Sequence, residues 1–314
     1  MPTKNADDEF PTMRTCATNR VHERLLREDP GYVDRRAQCE DLAWLAARKG
    51  WVGRNACTAV PVVVHVVTSP GSEDVSDAQV RSQIGVLNND FRSRNADISS
   101  VPRPFSALAA DARIQFELAT LDPRGTPTSG ITRTATTVAA FTDDDAVKSS
   151  TSGGADAWAT DVYLNIWVCG LAGGLLGYAQ FPGGPPATDG AVINYTAFGT
   201  IGTARAPFNL GRTATHEIGH WFNLRHIWGD DGSGCNGSDF VADTPNQGGP
   251  NYGTPTFPTV SCMNGPDGDM FMNYMDYVDD DAMTMFTAGQ VIRMQAALDG
   301  PRRGIGSEFP CTPS

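Results

Sequence analysis

The chain has 314 residues and a mass of 33.5 kDa, enough for one large domain or two modest ones with a sizeable core. Its 40% hydrophobic and 19% charged residues argue against wholesale disorder, and its formal net charge of -12 argues against nucleic acid as a partner. The longest strongly apolar run, residues 60–67, is far below the ~20 residues of a membrane span, so we expect no membrane partner.

Residues 1–53 differ from the rest of the chain in charge. They contain nine Lys or Arg and nine Asp or Glu, so the remainder carries all twelve excess negative charges. Apolar residues such as Val21, Leu25 and Leu42 recur there at roughly helical spacing. We therefore predict a helical front part packed on an acidic main domain. The first residues lack the apolar core of a signal peptide, so any export signal was removed or never present.

Strand and helix patterns mix along the main domain. Strands are predicted over residues 61–67, 113–121, 163–169 and 191–195, with a short edge strand within 175–181. Helices are predicted from a capping box at Ser76 and Gln79, from about 211 to 224, and from a second capping box at Thr287 and Gln290. Residues 229–281 show little periodicity, which in a compact domain implies that metal ions or disulfides hold them.

The seven cysteines form no CxxC pair, so neither a zinc ribbon nor a thioredoxin-like site is indicated. The odd count leaves at least one thiol free. The pairing of Cys39, Cys57, Cys169 and Cys311 stays open at this point.

The chemistry is concentrated in one stretch, residues 215–226 (THEIGHWFNLRH). His216 and His220 are four residues apart, so on a helix both side chains lie on one face and can bind one zinc ion. Glu217 can act as a base on a water molecule beside that metal. Three of the five histidines fall within eleven residues, a pattern too specific for chance, whereas His22 and His65 are expected to be ordinary.

A third histidine can reach the same metal only if the helix ends sharply. The turn is expected after about residue 222, and Asn223 is one of the few non-glycine residues that tolerate a left-handed conformation. His226 then completes a set of three neutral imidazoles, which leaves an open metal position for water. That is the catalytic rather than the structural zinc arrangement.

The stretch HEIGHWFNLRH resembles the long zinc motif of the metzincin metallopeptidases, and its surroundings resemble the pappalysin family, in its ulilysin-like branch. Asn223 stands where metzincins usually have glycine, and microbial members of this branch also carry asparagine. The stretches YLNIWVC, LLGYAQFP and TDGAVI extend the resemblance over most of the chain.

The resemblance implies an α+β fold of the metzincin type. Its upper part, residues 54–226, would hold a twisted, mostly parallel sheet and the active-site helix. Its lower part, residues 227–314, would be irregular, with a methionine turn and a C-terminal helix. Substrate would lie extended between the two parts and pair with the edge at 175–181.

The same resemblance assigns further residues around the metal. Met275, in the stretch NYMDY, would form the apolar floor under the three imidazoles. Tyr277 would donate a hydrogen bond to the oxyanion of the reaction, although an ordinary core tyrosine is the alternative. Asp281, in an acidic run that could equally be a solvated face, would form the base of the pocket after the scissile bond. That pocket implies cleavage before Arg, and less often Lys.

Residues 239–245 resemble the family's calcium-binding loop, with a plain surface turn as the alternative. Asp239 and Thr244 would bind calcium through their side chains and Ala242 through its carbonyl. Cys235 and Cys262 flank this loop, and we predict that they form a disulfide.

The stretch RTCAT at 14–18 resembles the family's short cysteine-switch motif. Cys16 would bind zinc and keep the enzyme latent, the alternative being a buried free cysteine. Residues 1–53 would then be an inhibitory propeptide and residues 54–314 the catalytic domain, with self-activation between Gly53 and Arg54.

The sequence thus predicts a secreted, monomeric zinc endopeptidase with calcium as a second cofactor and with basic proteins or peptides and its own propeptide as partners. Two alternatives remain: a catalytically silent zinc- and calcium-binding module, and an acidic cleft that holds basic peptides without turnover.

Overall fold

The computed structural model describes residues 10–49, 56–69, 74–232 and 234–311. Its helices are α1 (Thr18–Glu28), α2 (Tyr32–Arg48), α3 (Asp77–Asp90), α4 (Arg103–Ser106), α5 (Arg212–Trp221) and α6 (Ala288–Asp299). Its strands are β1 (Cys57–Thr68), β2 (Ile114–Leu118), β3 (Ile131–Ala135), β4 (Leu164–Cys169), β5 (Gly177–Ala179), β6 (Ala191–Asn194), β7 (Tyr252–Gly253), β8 (Tyr277–Val278) and β9 (Ser307–Phe309). Among the described residues, every helix is too short or too polar to span a bilayer.

The β-branched strand β1 organises the main sheet. Its first half pairs with β2 and its second half with β3 on one edge, while β9 and β4 pair with it on the other. The sheet continues from β4 to β6 and ends at β5. All these pairings are parallel except those of β5 and β9. The predicted α+β fold with a mostly parallel sheet is therefore confirmed.

The predicted strands and helices are all present, but the sequence did not predict β3, β7, β8 and β9. Each of these is short, and β3 is partly exposed, so none carries an apolar run.

The two capping boxes also differ. At α6 both hydrogen bonds of the box form, whereas the Gln79 side chain at α3 binds Phe198 O and Thr203 instead.

Buried contacts fix the C-terminal end of helix α5. The guanidinium of Arg302 binds both carboxylate oxygens of Asp189, at 2.6 and 2.9 Å, and donates to the carbonyl of Trp221 at 2.8 Å. The same guanidinium lies 3.6 Å from the centre of the Trp221 ring. Chain from beyond α6 thereby closes over the last turn of α5.

The front part is a helical hairpin, as expected. Val21 and Leu25 of α1 pack in one apolar cluster with Trp167 and Tyr178 of the sheet, and α2 packs along α6. The expected cleavage point between Gly53 and Arg54 lies outside the described residues.

Two disulfides join distant parts of the chain. The predicted Cys235–Cys262 disulfide is present, and Cys57 bonds to Cys311, a pairing that the sequence left open. Cys16, Cys39 and Cys169 are free.

The Cys57–Cys311 bond closes β9 onto the start of β1, so its removal frees the C-terminal segment. We expect the variant Cys57→Ser/Cys311→Ser to lose about 2–5 kcal/mol of unfolding free energy, because the unfolded chain is no longer cross-linked. Urea denaturation monitored by tryptophan fluorescence measures the loss. An unchanged denaturation midpoint would contradict this stabilising role.

Candidate active site

The active-site helix α5 begins at a fixed point. Arg212, its first residue, forms ion pairs with Asp90 of α3 at 3.2 Å and with Asp97 at 2.9 Å. It also donates to the carbonyls of Asp280 and Met283 in the lower part of the fold. This one buried side chain therefore sets α5 against both halves of the domain.

The end of α5 is a sharp left-handed turn. Asn223 has a φ of 75°, as its predicted role requires. Its amide donates to His220 O at 2.8 Å and the next amide, of Leu224, donates to Gly219 O at 3.0 Å. These two bonds form a Schellman motif, which ends the helix and redirects the chain.

The three histidine side chains meet on one side of this turn. The Nε2 atom of His220 lies 3.1 Å from that of His216 and 3.1 Å from that of His226, and the third distance is 3.3 Å. Three nitrogens bound to a tetrahedral zinc ion at ~2.0–2.1 Å lie about 3.3 Å apart. The triangle therefore has the dimensions of a zinc site.

Each imidazole is oriented through its other nitrogen. Nδ1 of His216 faces Tyr274 O at 2.7 Å, Nδ1 of His220 faces Leu224 O at 2.8 Å, and Nδ1 of His226 faces the Asp230 carboxylate at 2.7 Å. Oxygen acceptors at all three positions place the ring protons on Nδ1, which leaves the Nε2 lone pairs free.

The cluster can hold a cation at its centre. Burial and the neighbouring rings hold the pKa of His216 and of His220 well below the usual value, which favours the neutral form of these two rings. Three lone pairs at this separation repel one another unless a positive ion lies between them. The donor set and its outer partners fit zinc.

Glu217 lies beside this cluster and is fully buried. Burial raises the pKa of its carboxyl to about 7, while hydrogen bonds from Cys16 and Thr18 oppose the shift. The edge strand comes close, since a Cβ on Gly177 would lie 3.0 Å from Glu217 Cγ. The carboxylate is thus confined between the metal site and the strand edge.

Met275 lies beneath the histidines. It is fully buried, and its sulfur would be 2.5 Å from a Cβ on Gly219, the residue before His220. Only glycine at 219 lets the methionine pack this closely against the helix.

Aromatic rings close the other side of the cluster. Trp228 stacks on His226 with ring centres 4.4 Å apart, and Tyr277 meets the same histidine edge-on at 4.9 Å. The Tyr277 hydroxyl donates to Cys16 O at 3.4 Å. The tyrosine that the resemblance assigned to oxyanion binding thus borders the site.

The front segment fills the site. Residues 15–17 pair with the edge at 176–177, where the amide of Leu176 donates to Thr15 O and that of Ala17 donates to Gly177 O, both at 3.1 Å. The Cys16 sulfur joins the three histidines in one group whose ligand atoms all lie within 4.8 Å of one another. It also lies 3.2 Å from Glu217 Oε2. The edge that was expected to bind substrate is therefore covered.

Two residues before Cys16, a buried arginine occupies a second pocket. Arg14 donates to Asp280 at 2.6 Å, to Thr213 at 3.0 Å and to Val278 O at 3.1 Å, and it is 1% exposed. Phe208 faces the guanidinium at 5.0 Å.

The carboxylate that binds Arg14 is that of Asp280, the neighbour of Asp281. Asp281 is exposed and contacts Thr254 at 3.4 Å, whereas Asp280 is fully buried. The short helical turn there directs these neighbouring side chains to opposite environments, so Arg14 binds Asp280, while the role of Asp281 stays a prediction.

The expected calcium loop is only partly assembled. Asp239 accepts the Thr244 hydroxyl at 2.7 Å, while Ala242 is exposed. Burial raises the pKa of Asp239 to about 7. Among the described residues, the Cys16 and histidine group is the single cluster of three or more His, Cys, Asp or Glu side chains that could hold a metal ion. Calcium binding at residues 239–245 therefore stays a prediction.

Sequence reasoning missed several residues of the site: Arg14, Thr18, Trp228, Asp230 and Asp280. Asp230 carried a usable signal, since a carboxylate four residues after a metal-binding histidine can orient its ring. Arg14, Thr18 and Asp280 depend on contacts between segments far apart in sequence, whereas Trp228 stacks on His226, two residues before it.

Known proteins resemble this chain over most of its length. Residues 148–299 match the peptidase family model described as Pregnancy-associated plasma protein-A. An extracellular metalloprotease of Pyricularia oryzae is 34% identical over 270 residues, which cover 82% of this chain and 81% of the relative. An extracellular metalloprotease of Arthroderma gypseum is 32% identical over 239 residues, which cover 74% of this chain and 69% of the relative.

Solved structures agree in fold as well as in sequence. Mature mirolysin of Tannerella forsythia with a cleaved peptide is 54% identical, with a TM-score of 0.79, and covers 80% of this chain and 96% of its own. A promirolysin mutant from the same organism is 49% identical, with a TM-score of 0.86. The match covers 93% of this chain and 97% of the promirolysin chain. The chain belongs to the pappalysin family of metzincins and is a metalloprotease.

Proposed function

We propose that this protein is the latent precursor of a secreted zinc endopeptidase that cleaves before Arg, and less often before Lys. Residues 1–53 would be its propeptide and residues 54–314 its catalytic domain. The observation that carries the proposal is the pairing of Cys16 with the three histidines while Arg14 binds Asp280. Secretion is supported by the relatives that are named extracellular metalloproteases.

His216, His220 and His226 would hold the zinc ion. When bound, zinc supplies a Lewis acid that polarises the scissile carbonyl and makes a water molecule acidic. Glu217 would accept the proton of the attacking water and deliver it to the leaving amine. Tyr277 would donate its hydroxyl hydrogen to the negative charge that develops on the carbonyl oxygen.

The catalytic assignment is tested with activated enzyme and an Arg-containing peptide. We expect Glu217→Ala to lower kcat by about 10²–10⁴-fold with the zinc content unchanged, because the proton acceptor is lost. Chelation should abolish cleavage by the wild-type enzyme, and added zinc should restore it. Mass spectrometry of the products measures both effects. Uncut peptide from zinc-loaded, processed wild-type protein would favour the silent binding module instead.

Asp280 would select the residue after the scissile bond. Its pocket already holds a guanidinium whose charge is removed from water, and a buried carboxylate is the natural partner for such a group. Its second oxygen accepts the amides of Leu210 and Arg212, at 2.8 and 3.2 Å, which fixes the carboxylate in place.

Selectivity is measured with two peptides that differ only in arginine or neutral citrulline after the scissile bond. We expect Asp280→Asn to reduce the ratio of kcat/KM for arginine over citrulline about 10- to 100-fold, the size of a charged hydrogen bond. Asp281→Asn is the matched control and should keep the ratio, because Asp281 is exposed. A preference for arginine that survives Asp280→Asn, or that is lost in Asp281→Asn, contradicts the assignment.

Latency would rest on Cys16 and its neighbours. The Thr18 amide donates to the sulfur at 3.4 Å, and the Thr18 hydroxyl donates to Glu217 at 3.0 Å, so the segment engages both the metal ligands and the base. The pro-form of mirolysin matches a larger share of this chain, 93%, than the mature form does, 80%. This difference supports an inhibitory role for the front part.

We expect Cys16→Ala to convert to mature enzyme faster than wild type, with a new amino terminus at Arg54. The control is Cys169→Ala, which removes another free thiol, one that is buried in β4 and does not belong to the metal-ligand group. Timed electrophoresis and amino-terminal sequencing record the conversion. Self-activation would be contradicted if the wild-type chain stays full-length, or if Glu217→Ala is cleaved as fast as wild type. The cysteine switch would be contradicted if Cys16→Ala and Cys169→Ala convert at equal rates.

A further inference from the structure

We propose that Arg225 and Arg293 form a carboxylate-binding subsite that is covered by Glu40 in the latent protein and opens when the front part leaves. Its ligand would be an acidic side chain of the substrate on the amino-terminal side of the scissile bond. This inference rests on the proposed function and adds a second specificity element to it.

Glu40 of α2 is the present occupant. Its carboxylate contacts Arg293 at 2.8 Å, Arg225 at 3.5 Å and Arg36 at 2.7 Å. The first two arginines belong to the main domain and the third to the front part. These guanidinium groups hold the pKa of Glu40 below its usual value despite burial, so the group that occupies the subsite is an anion.

The two main-domain arginines are held by contacts that do not involve α2. Arg293 donates from Nη2 and Nε to Asn223 O at 3.0 and 3.3 Å. Both guanidinium groups face the Phe240 ring, Arg225 at 4.8 Å and Arg293 at 5.8 Å from its centre. These contacts would hold the two guanidinium groups in place when Glu40 leaves, which would reduce the entropic cost of binding a ligand.

Departure of Glu40 would leave two positive charges with no close anion among the described residues. Arg225 forms its one described ion pair with Glu40, and its Nε atom has no hydrogen-bond partner in the described structure. Asp239 attracts Arg293 only at longer range. Arg293 is buried and Arg225 is half-buried, and arginines in this arrangement favour a replacement carboxylate, even though the main domain as a whole is acidic.

The position relative to the cleft follows from the path of the front segment. Arg14 lies at Asp280 before the chain passes the metal ligands at Cys16, and α1 and α2 follow on the other side. Ring contacts link that side to the cluster, since Phe181 lies 5.5 Å from His220 and 4.9 Å from Arg36. A substrate with arginine at Asp280 and its scissile bond at the metal ligands would run in the opposite direction to the front segment. Its residues before the scissile bond would then lie on the side where α1 and α2 now lie, towards Arg225.

The test uses activated wild-type enzyme and a peptide series with arginine fixed after the scissile bond. One residue is varied between Glu and Gln at successive positions before the bond. At one of these positions we expect kcat/KM to be about tenfold higher for Glu, and we expect the ratio to shrink as salt is added. Arg225→Gln should reduce the ratio to about twofold or less, and Arg225→Lys should retain part of it.

Arg124→Gln, which removes an exposed arginine elsewhere, is the control and should keep the wild-type ratio. Zinc content verifies that each variant is folded. Equal cleavage of Glu and Gln peptides by the wild-type enzyme overturns the subsite and leaves the proposed function intact. Persistence of the Glu preference in Arg225→Gln also overturns it. Failure to cleave either peptide contradicts the proposed function itself.

Discussion

The left-handed turn at Asn223 is the constraint on which the metal site depends. If α5 continued, residue 226 would lie roughly 240° around the helix from residue 220, far from the other two imidazoles. A left-handed asparagine costs of order 1 kcal/mol, which the Schellman hydrogen bonds offset. Arg293 binds the carbonyl of Asn223 and Arg36 binds its side chain at 2.7 Å, so the turn is fixed from both sides.

Charge pairing explains how a neutral front segment binds an acidic body. The pairing depends on individual positions rather than on net charge. Arg14 meets Asp280, Arg24 meets Asp145 at 2.5 Å, and Glu40 meets the two arginines of the main domain. Several of these groups are largely buried, and a buried charge without a partner is costly. The front segment is therefore favoured in the alignment that pairs each of these charges, over alignments in which the segment is shifted along the main domain.

The sequence revealed the parts of the site whose geometry is local. The spacing of His216 and His220 fixes them on one helical face, and the need to reach His226 predicts the turn at Asn223. It could not distinguish Asp280 from Asp281, because which of two adjacent carboxylates is buried depends on Arg14, more than 260 residues away in the chain. Strand β3 was missed for a similar reason: its pairing with β1, rather than its own polar sequence, makes it a strand.

The front segment and a substrate would compete for the same groups. In the intact chain the segment binds intramolecularly, and its effective concentration is then of the millimolar order that short tethers give. Cleavage of the connection after residue 53 would remove this advantage without breaking one contact described above. The fragment would then leave only as its buried charges become hydrated. Dissociation would uncover the metal site, the Asp280 pocket and the Arg225 side of the cleft together, because one continuous segment covers all three.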